Sequence, residues 1–199
     1  NAIKKDWLCN SSDILSIDIP TVCPICGQPL SRVTENSSTV LMCENSACSG
    51  KFINQLDHFA GKKGLDIRGL SKATLEKLVD WGWITSIEDI FNLEKYKKEW
   101  IVKPGFGEKS VSNLLQSIEN SKECDLEKFI CALGIPLVGA TAAKDLAKFF
   151  HSWAELYNAI CTDFKFYTLP NFGEETYKSI INFDYSIANN LTKFIPIGL

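Results

Sequence analysis

The chain has 199 residues, of which 45% are hydrophobic and 23% charged, and its formal net charge is −3. This composition is typical of a folded chain of one to three domains, and it excludes an acidic disordered tail or a protein that binds polyanions by bulk positive charge. No apolar run approaches the roughly 18 residues that cross a bilayer, and no signal-like segment opens the chain, so we expect a cytoplasmic protein with no membrane contact.

The first twenty residues are too few to form a domain of their own. Asn1 and Ala2 resemble the remnant of a cleaved expression tag, and we exclude them from the fold. Residues 13–20 partly alternate polar and apolar side chains, which predicts a short strand leading into the next segment.

Four of the eight cysteines cluster in residues 21–50, a turn-rich segment with too few apolar residues to build a core. Their pattern is Cys23-x2-Cys26 and Cys43-x4-Cys48. Two cysteines on a tight turn direct both thiolates at one point, and two such pairs form a tetrahedral zinc site. Because four thiolates leave no coordination position open, we expect structural Zn²⁺. The alternative is core cysteines or disulfides.

The other cysteines and the histidines form no catalytic cluster in the sequence. We expect the cysteines in or beside helical patterns to be small buried side chains or unreactive thiols, and the histidines to pack or lie at the surface. These residues are Cys124, Cys131, Cys161, His58 and His151. Cys9 is expected to be exposed, and no acid–base pair is recognisable.

After Phe52, apolar residues recur at steps of three and four, which predicts a helical chain. Four short turns end at Ser71, Gly107, Gly139 and Gly173, with spacings of 36, 32 and 34 residues. Each turn precedes an amphipathic helix, predicted over Lys72–Asp80, Glu108–Ser121, Ala140–Phe150 and residues 174–183. The nearly constant period predicts four repeats of a helix, a turn and a second helix.

A Gly-apolar-Gly turn leaves backbone N–H groups free at the positive end of the second helix, which suits a phosphate oxygen. Such contacts hold a nucleic-acid backbone without reading its bases. The alternative is an ordinary interhelical turn with a glycine cap. The residues expected to bind DNA are Gly69, Leu70, Ser71 and Lys72 in the first turn, Gly105, Phe106, Gly107 and Lys109 in the second, and Val138, Gly139, Thr141 and Lys144 in the third.

The fourth turn is predicted to be mainly structural. Asn171 replaces the first glycine there, and Glu174 and Glu175 would repel a phosphate. Residues 51–150 contain 15 basic and 14 acidic side chains, whereas residues 151–199 contain 3 and 5. The more basic part of the chain therefore contains the turns best suited to phosphate.

Aromatic residues offer another route to nucleic acid, because bases stack on exposed rings. Trp81, Trp100, Phe149 and Phe150 lie at helical spacing among apolar residues, however, which is typical of core positions. We therefore predict that these rings pack in the core.

The motifs, in their order along the chain, resemble those of a known family. They are Cys23-Pro24-Ile25-Cys26-Gly27, Cys43 to Cys48, His58-Phe59, Gly64-Leu65-Asp66-Ile67-x-Gly69-Leu70, Gly105-Phe106-Gly107-Glu108-Lys109-Ser110, and Ala132-Leu133-Gly134-Ile135-x-x-Val138-Gly139-x-Thr141-Ala142. Together they resemble the four-cysteine zinc finger and four helix-hairpin-helix motifs in the C-terminal half of bacterial NAD-dependent DNA ligase, over roughly residues 20–190.

This resemblance implies a mainly α fold, with a small four-cysteine zinc finger followed by an all-helical domain of four helix-hairpin-helix repeats. Residues 1–20 would be the tag remnant and a linker from an OB-fold domain. The zinc finger would occupy residues 21–51 and the DNA-binding hairpin domain residues 52–190. Residues 191–199 would lead toward a BRCT domain.

For function, the resemblance implies sealing of nicks between a 5′-phosphate and a 3′-hydroxyl in duplex DNA during replication and repair. In this family NAD adenylates a lysine, AMP passes to the 5′-phosphate, and the strands join as AMP leaves. The adenylation motif Lys-x-Asp-Gly does not occur in these residues. We therefore expect a non-catalytic piece that binds Zn²⁺ and DNA, while NAD and Mg²⁺ act through other domains.

The partners implied by the resemblance are nicked duplex DNA, contacted through backbone phosphates in the minor groove, and the other domains of the same ligase. We expect a monomer associated with the bacterial nucleoid in the cytoplasm. Two alternatives stay open: a standalone zinc and hairpin module that recruits repair factors, and a purely structural helical repeat that binds protein.

Overall fold

The computed structural model describes residues 19–35, 38–45 and 47–197. The chain divides into two compact units between Gly50 and Lys51. Cys9 and most of the strand predicted over residues 13–20 lie outside the described residues, while Ile19 and Pro20 belong to no strand. The mainly α fold class is confirmed, since the strands are confined to a two-stranded sheet in the first unit of the described chain.

The first unit contains two antiparallel strands, β1 (Leu30–Glu35) and β2 (Ser38–Cys43). Their apolar side chains are poorly covered, since Val40 is 48% exposed and Met42 is 45% exposed. Among the described residues before Lys51, only Cys23 and Cys48 are buried. The described part of this unit therefore has no apolar core of its own, as the sequence indicated for residues 21–50.

Helices build the second unit. The α-helices are α1 (Ser49–Ala60), α2 (Lys72–Asp80), α3 (Lys97–Trp100), α4 (Glu108–Ser121), α5 (Leu126–Leu133), α6 (Ala140–Phe150), α7 (Trp153–Cys161), α8 (Glu174–Asn182) and α9 (Ser186–Leu191), and 3₁₀ helices cover Ile87–Tyr96 and Phe166–Thr168. The helices α2, α4 and α6 have the predicted bounds, and α8 ends one residue earlier than predicted.

One continuous hydrophobic core runs through the second unit, from Leu56 in α1 to Ile197. Trp100, Phe129 and Phe166 are its largest members with almost no exposure, together with Phe59. Four helices begin directly after the four predicted turns, and they are α2, α4, α6 and α8. Within the described residues, no helix is both long and apolar enough to cross a membrane.

Local sequence signals fix where these helices begin and end. The Ser71 hydroxyl accepts a hydrogen bond from the Thr74 N–H at 3.3 Å, which caps α2. The Asp89 carboxylate accepts hydrogen bonds from the N–H groups of Thr85 (2.9 Å) and Ser86 (3.1 Å) at the start of the longer 3₁₀ helix. Helix α5 ends at Gly134, whose φ of +69° lies in the left-handed region.

Candidate metal centre and nucleic-acid interface

The sulfur atoms of Cys23, Cys26, Cys43 and Cys48 all lie within 4.8 Å of one another. The Cys23–Cys48 distance is 3.9 Å and the Cys26–Cys43 distance is 3.5 Å. Zinc–sulfur bonds of about 2.3 Å in a tetrahedron place the sulfurs about 3.8 Å apart, whereas a disulfide bond measures about 2 Å. The distances therefore fit a four-thiolate metal site, and the disulfide alternative does not apply to these four cysteines.

Two short turns direct the sulfurs at one point. In the first, the N–H of Gly27 donates to the Cys23 carbonyl at 2.8 Å, and Gly27 has a φ of +71°. In the second, the Cys48 N–H donates to the Asn45 carbonyl at 3.2 Å. The strand β2 ends on Cys43, so the sheet joins the two turns. The spacing of the two cysteine pairs was the sequence signal that predicted this cluster.

Hydrogen bonds prepare one thiol of the cluster for ionisation. The Gln28 backbone and the Asn45 side chain lower the pKa of Cys26 to about 6, because both stabilise its thiolate. Desolvation raises the pKa of Cys43 to about 11. Since the thiolate is the form that binds metal, the hydrogen bonds that lower the pKa of Cys26 favour its metal-binding form.

The other cysteines and histidines among the described residues are not part of this cluster. Cys124 and Cys131 are half-buried, and burial raises the pKa of Cys124 to about 11. Cys161 is exposed, so of the two alternatives expected for it only the unreactive thiol remains, as a prediction. The His58 side chain donates from Nε2 to the Cys131 carbonyl at 2.7 Å, and His151 is the exposed cap of α6. Both histidines are exposed, and the packing or surface roles expected for them stay predictions.

The four turns share one backbone conformation. In each, the residue two positions before the end of the turn has a left-handed φ: +85° at Gly69, +84° at Gly105, +64° at Leu137 and +68° at Asn171. The next residue donates its N–H to a carbonyl three residues earlier, as Phe106 does to Lys103 at 3.1 Å. This is the pattern of a type II turn, in which proline favours the position before the left-handed residue.

Backbone conformation does not explain why the last residue of three of the turns is glycine. Gly107, Gly139 and Gly173 have extended φ values of −148°, −86° and −102° that any residue adopts. A Cβ added at any of these three positions would meet no atom within 4 Å. The protein's own packing therefore leaves open the space in front of α4, α6 and α8.

Free backbone donors face this space. The first amide bonded within α4 is that of Val111, which donates to the Gly107 carbonyl at 2.9 Å, and Ala143 donates to Gly139 in the same way. The preceding amides have no acceptor among the described residues, as is general for the first turn of a helix. These donors and the helix dipole attract an anion.

The apolar residue in the middle of each turn anchors it to the core. Leu70, Val138 and Phe172 are buried, and Phe106 is half-buried. The N–H groups of Leu70 and Val138 already donate within the turn, to the Ile67 (3.2 Å) and Ile135 (3.0 Å) carbonyls, and their contact with DNA stays a prediction. The predicted contacts Gly69, Ser71, Lys72, Gly105, Gly107, Lys109, Gly139, Thr141 and Lys144 are exposed.

The first and fourth turns differ from the second and third in their polar groups. In the first, the Thr74 N–H already donates to the Ser71 hydroxyl, and Lys72 donates from Nζ to the Asn54 side chain at 2.8 Å. In the fourth, Glu174 and Glu175 are exposed in the first turn of α8. The second and third turns thus offer the least obstructed donors.

The aromatic residues pack largely as predicted. Trp100 and Phe150 are buried and Trp81 is half-buried against the core. Phe149 was wrongly expected in the core, since 52% of its side chain is exposed beside Phe150 and Phe164. Helical spacing alone does not distinguish the last core position of α6 from its exposed neighbour.

Two family models match the helical part of the chain. One, described as "SAM-like Helix-hairpin-helix tandem", matches residues 65–120, and one described as "Helix-hairpin-helix motif" matches residues 128–190. Together they cover the four turns and the helices that follow them.

Similar proteins include several bacterial proteins named DNA ligase. That of Sulfurihydrogenibium azorense is 40% identical over 175 residues, 87% of this chain and 24% of that protein. That of Ruminiclostridium cellulolyticum is 38% identical over 142 residues, 71% of this chain and 22% of that protein. "DNA ligase 1" of Clostridium acetobutylicum is 34% identical over 186 residues, 92% of this chain and 27% of that protein. The chain spans about a quarter of the length of these relatives, and it thus contains helix-hairpin-helix segments and is homologous, over most of its own length, to a region of bacterial DNA ligases.

Proposed function

We propose that this chain is the DNA-binding part of an NAD-dependent DNA ligase, which holds duplex DNA while other domains seal a nick between a 5′-phosphate and a 3′-hydroxyl. The observation that carries this proposal is the open space at Gly107 and Gly139, in front of unpaired helix amides. The relatives named DNA ligase support the enzyme class, and the hairpin matches support DNA as the partner.

The turns would bind phosphate by geometry and not by charge. The buried middle residue and the type II turn hold the backbone, so its amides are already oriented when a phosphate arrives. The absence of a Cβ at Gly107 and Gly139 lets a phosphate oxygen reach those amides. A net charge of −3 is compatible with this binding, because the donors are neutral amides and helix dipoles. Such contacts carry no base information.

The four cysteines would bind Zn²⁺ as a structural ion. Four thiolates close the coordination shell, so the ion would replace the apolar core that the first unit lacks. The Lys-x-Asp-Gly motif is not among these residues, and we assign the chemistry that needs NAD and Mg²⁺ to other parts of the ligase. The chain itself would contribute binding and no catalytic residue.

The proposed function also divides this chain into domains and linkers. Residues 1–20 would include a linker from an OB-fold domain, residues 21–51 the zinc finger, residues 52–190 the hairpin domain, and residues 191–199 a linker toward a BRCT domain. We propose that the chain is monomeric and acts in the bacterial cytoplasm, at the nucleoid, in replication and repair.

A matched pair of glycine substitutions tests the phosphate role. Gly107→Val and Gly173→Val place the same side chain at equivalent extended positions that face open space, so both variants should keep the helical circular dichroism of the parent. We expect Gly107→Val to weaken binding of a fluorescent nicked duplex about tenfold, because one charge-assisted contact is lost. Gly173→Val should bind like the parent.

Anisotropy titrations at constant low salt provide the measurement. Unchanged affinity of Gly107→Val would contradict the phosphate role of the second turn. An equal loss in Gly173→Val would contradict the structural assignment of the fourth turn.

A further inference from the structure

A cluster of aromatic side chains lies beside the second turn. Its members, which we call the aromatic cluster, are Trp81, Trp83, Tyr96, Trp100 and Phe106. The rings of Trp83 and Tyr96 stack in parallel at 4.6 Å, and Trp81 lies 4.8 Å from Trp83 and 5.9 Å from Phe106. Because Phe106 is the middle residue of the second turn, the cluster packs directly against that turn.

Three lysines rest on faces of this cluster: the Nζ of Lys95 lies 4.9 Å from the centre of the Tyr96 ring, and the other two, Lys77 and Lys103, border the second turn. The Nζ of Lys103 lies 4.8 Å from the centre of the Trp81 ring and 5.8 Å from that of Trp83. The Nζ of Lys77, which comes from α2, lies 5.3 Å from the centre of the Phe106 ring. These are cation–π distances, so each ring fixes one side of an ammonium group and leaves its other N–H donors available.

Both ammonium groups lie next to the turn that offers the open amides. A Cβ built on Gly105 would lie 3.8 Å from the Lys77 Nζ. Lys103 is the first residue of the same turn, since its carbonyl accepts the Phe106 N–H. Neither lysine forms a salt bridge with a carboxylate in the described part of the chain. Their charges are therefore not neutralised locally.

We propose that Lys77 and Lys103 bind duplex DNA through phosphates adjacent to the one held by the second turn, with the aromatic cluster positioning their ammonium groups. This inference rests on the proposed DNA-binding function and adds a charged component to it. The turn supplies neutral donors, and the two lysines supply the cations that displace counterions from the duplex. Cation–π contacts restrict the long side chains before binding, so less side-chain freedom is lost in the complex.

The salt dependence of binding separates phosphate contacts from packing. The logarithm of the association constant falls linearly with the logarithm of salt concentration, with a slope of about −0.9 for each phosphate neutralised. We expect Lys77→Gln and Lys103→Gln each to reduce the magnitude of this slope by about 0.9, and the double variant by about 1.8, for the same labelled nicked duplex. Lys103→Arg should retain the parental slope, since arginine keeps both the charge and the ring contact.

Lys122 provides a matched control. It caps the far end of α4, whose 14 residues span about 21 Å from the second turn, and it pairs with Glu119. The substitution Lys122→Gln should leave the slope unchanged.

Three results would overturn the inference. If the Lys77→Gln and Lys103→Gln variants keep the parental slope, the inference is overturned and the proposed function is not affected. If these variants have a lower melting temperature and a lower affinity but an unchanged slope, the two lysines have a purely structural role. That result also overturns the inference and leaves the proposed function unaffected. A parent chain that does not bind duplex at low salt would overturn the proposed function together with this inference.

Discussion

Leu137 occupies a backbone conformation that glycine occupies in two of the other turns. Its φ of +64° costs a residue with a Cβ about 1–2 kcal/mol, and its side chain is 66% exposed, so little burial offsets this cost. Pro136 before it favours the type II turn, which holds the residue in place. The third turn is therefore locally strained, whereas the second is not.

Substitutions at equivalent positions should have opposite effects on stability. Leu137→Asn should raise the free energy of unfolding of the helical unit by about 0.5 kcal/mol, because asparagine tolerates the left-handed region, as Asn171 does in the fourth turn. Gly105→Ala should lower it by about 1 kcal/mol, since its Cβ meets no closer atom than Lys77 Nζ and only the backbone is strained. Urea denaturation followed by helical circular dichroism measures both. Two changes of the same sign would contradict the shared turn conformation.

At the scale of elements, a single carboxylate organises the start of the longer 3₁₀ helix. Burial alone would raise the pKa of Asp89, but hydrogen bonds from Thr85 and Ser86 outweigh it and the pKa is lowered. A carboxylate whose pKa is lower in the folded state stabilises the fold above its unfolded pKa of about 3.9. That stabilisation disappears as the pH falls through the folded pKa.

Asp89→Ala should therefore destabilise the helical unit in a pH-dependent way. We expect a loss of about 1 kcal/mol at neutral pH, typical of a lost helix cap, and a smaller difference from the parent as the pH falls below about 4. Melting curves of both proteins across this range provide the measurement. Glu76→Ala, at an exposed position of α2, should show no such convergence. A difference between parent and Asp89→Ala that stays constant with pH would rule out the carboxylate as its source.

Local signals made several elements predictable from the sequence. Ser71, Gly107 and Gly139 each mark the residue before a helix, and the predicted bounds of α2, α4 and α6 agree with the structure. The cysteine spacing likewise predicted a four-cysteine cluster, because ligand spacing is a short-range property.

Features that depend on tertiary contacts were not predictable. The pairing of Val33 with Val40 was not predicted, and the 3₁₀ helix over Ile87–Tyr96 has an apolar pattern like that of an α-helix. Lys103 belongs to the second turn, whereas Lys77 lies in α2, and folding alone brings the Lys77 side chain to that turn. The exposure of Phe149 also depends on what packs against α6.

At the scale of the whole molecule, the two units differ in what stabilises them. The second unit has a continuous hydrophobic core, whereas in the first only Cys23 and Cys48 are buried among the residues described. A metal ion contributes folding free energy where an apolar core does not. The two units should therefore respond differently to removal of metal.

Chelation should unfold the first unit and spare the second. We expect the parent to contain one Zn²⁺ per chain by metal analysis, and Cys43→Ser or a strong chelator to remove it while the melting transition of the helices persists. Cys161→Ser, at an exposed position outside the cluster, should retain the ion. Absence of zinc from the parent would contradict the metal assignment, and collapse of the helices on chelation would contradict the independence of their core.

The open space at the final turn glycines also predicts which glycines can be substituted during evolution without loss of the fold. A Cβ on Gly64 would lie 2.3 Å from the Phe59 carbonyl oxygen, so folding itself requires that glycine. No such clash protects Gly107 or Gly139. In a lineage that kept this fold but lost the proposed nucleic-acid partner, Gly64 would persist while Gly107 and Gly139 accumulated side chains. The state of these two positions in a descendant sequence is therefore a record of whether selection for binding continued.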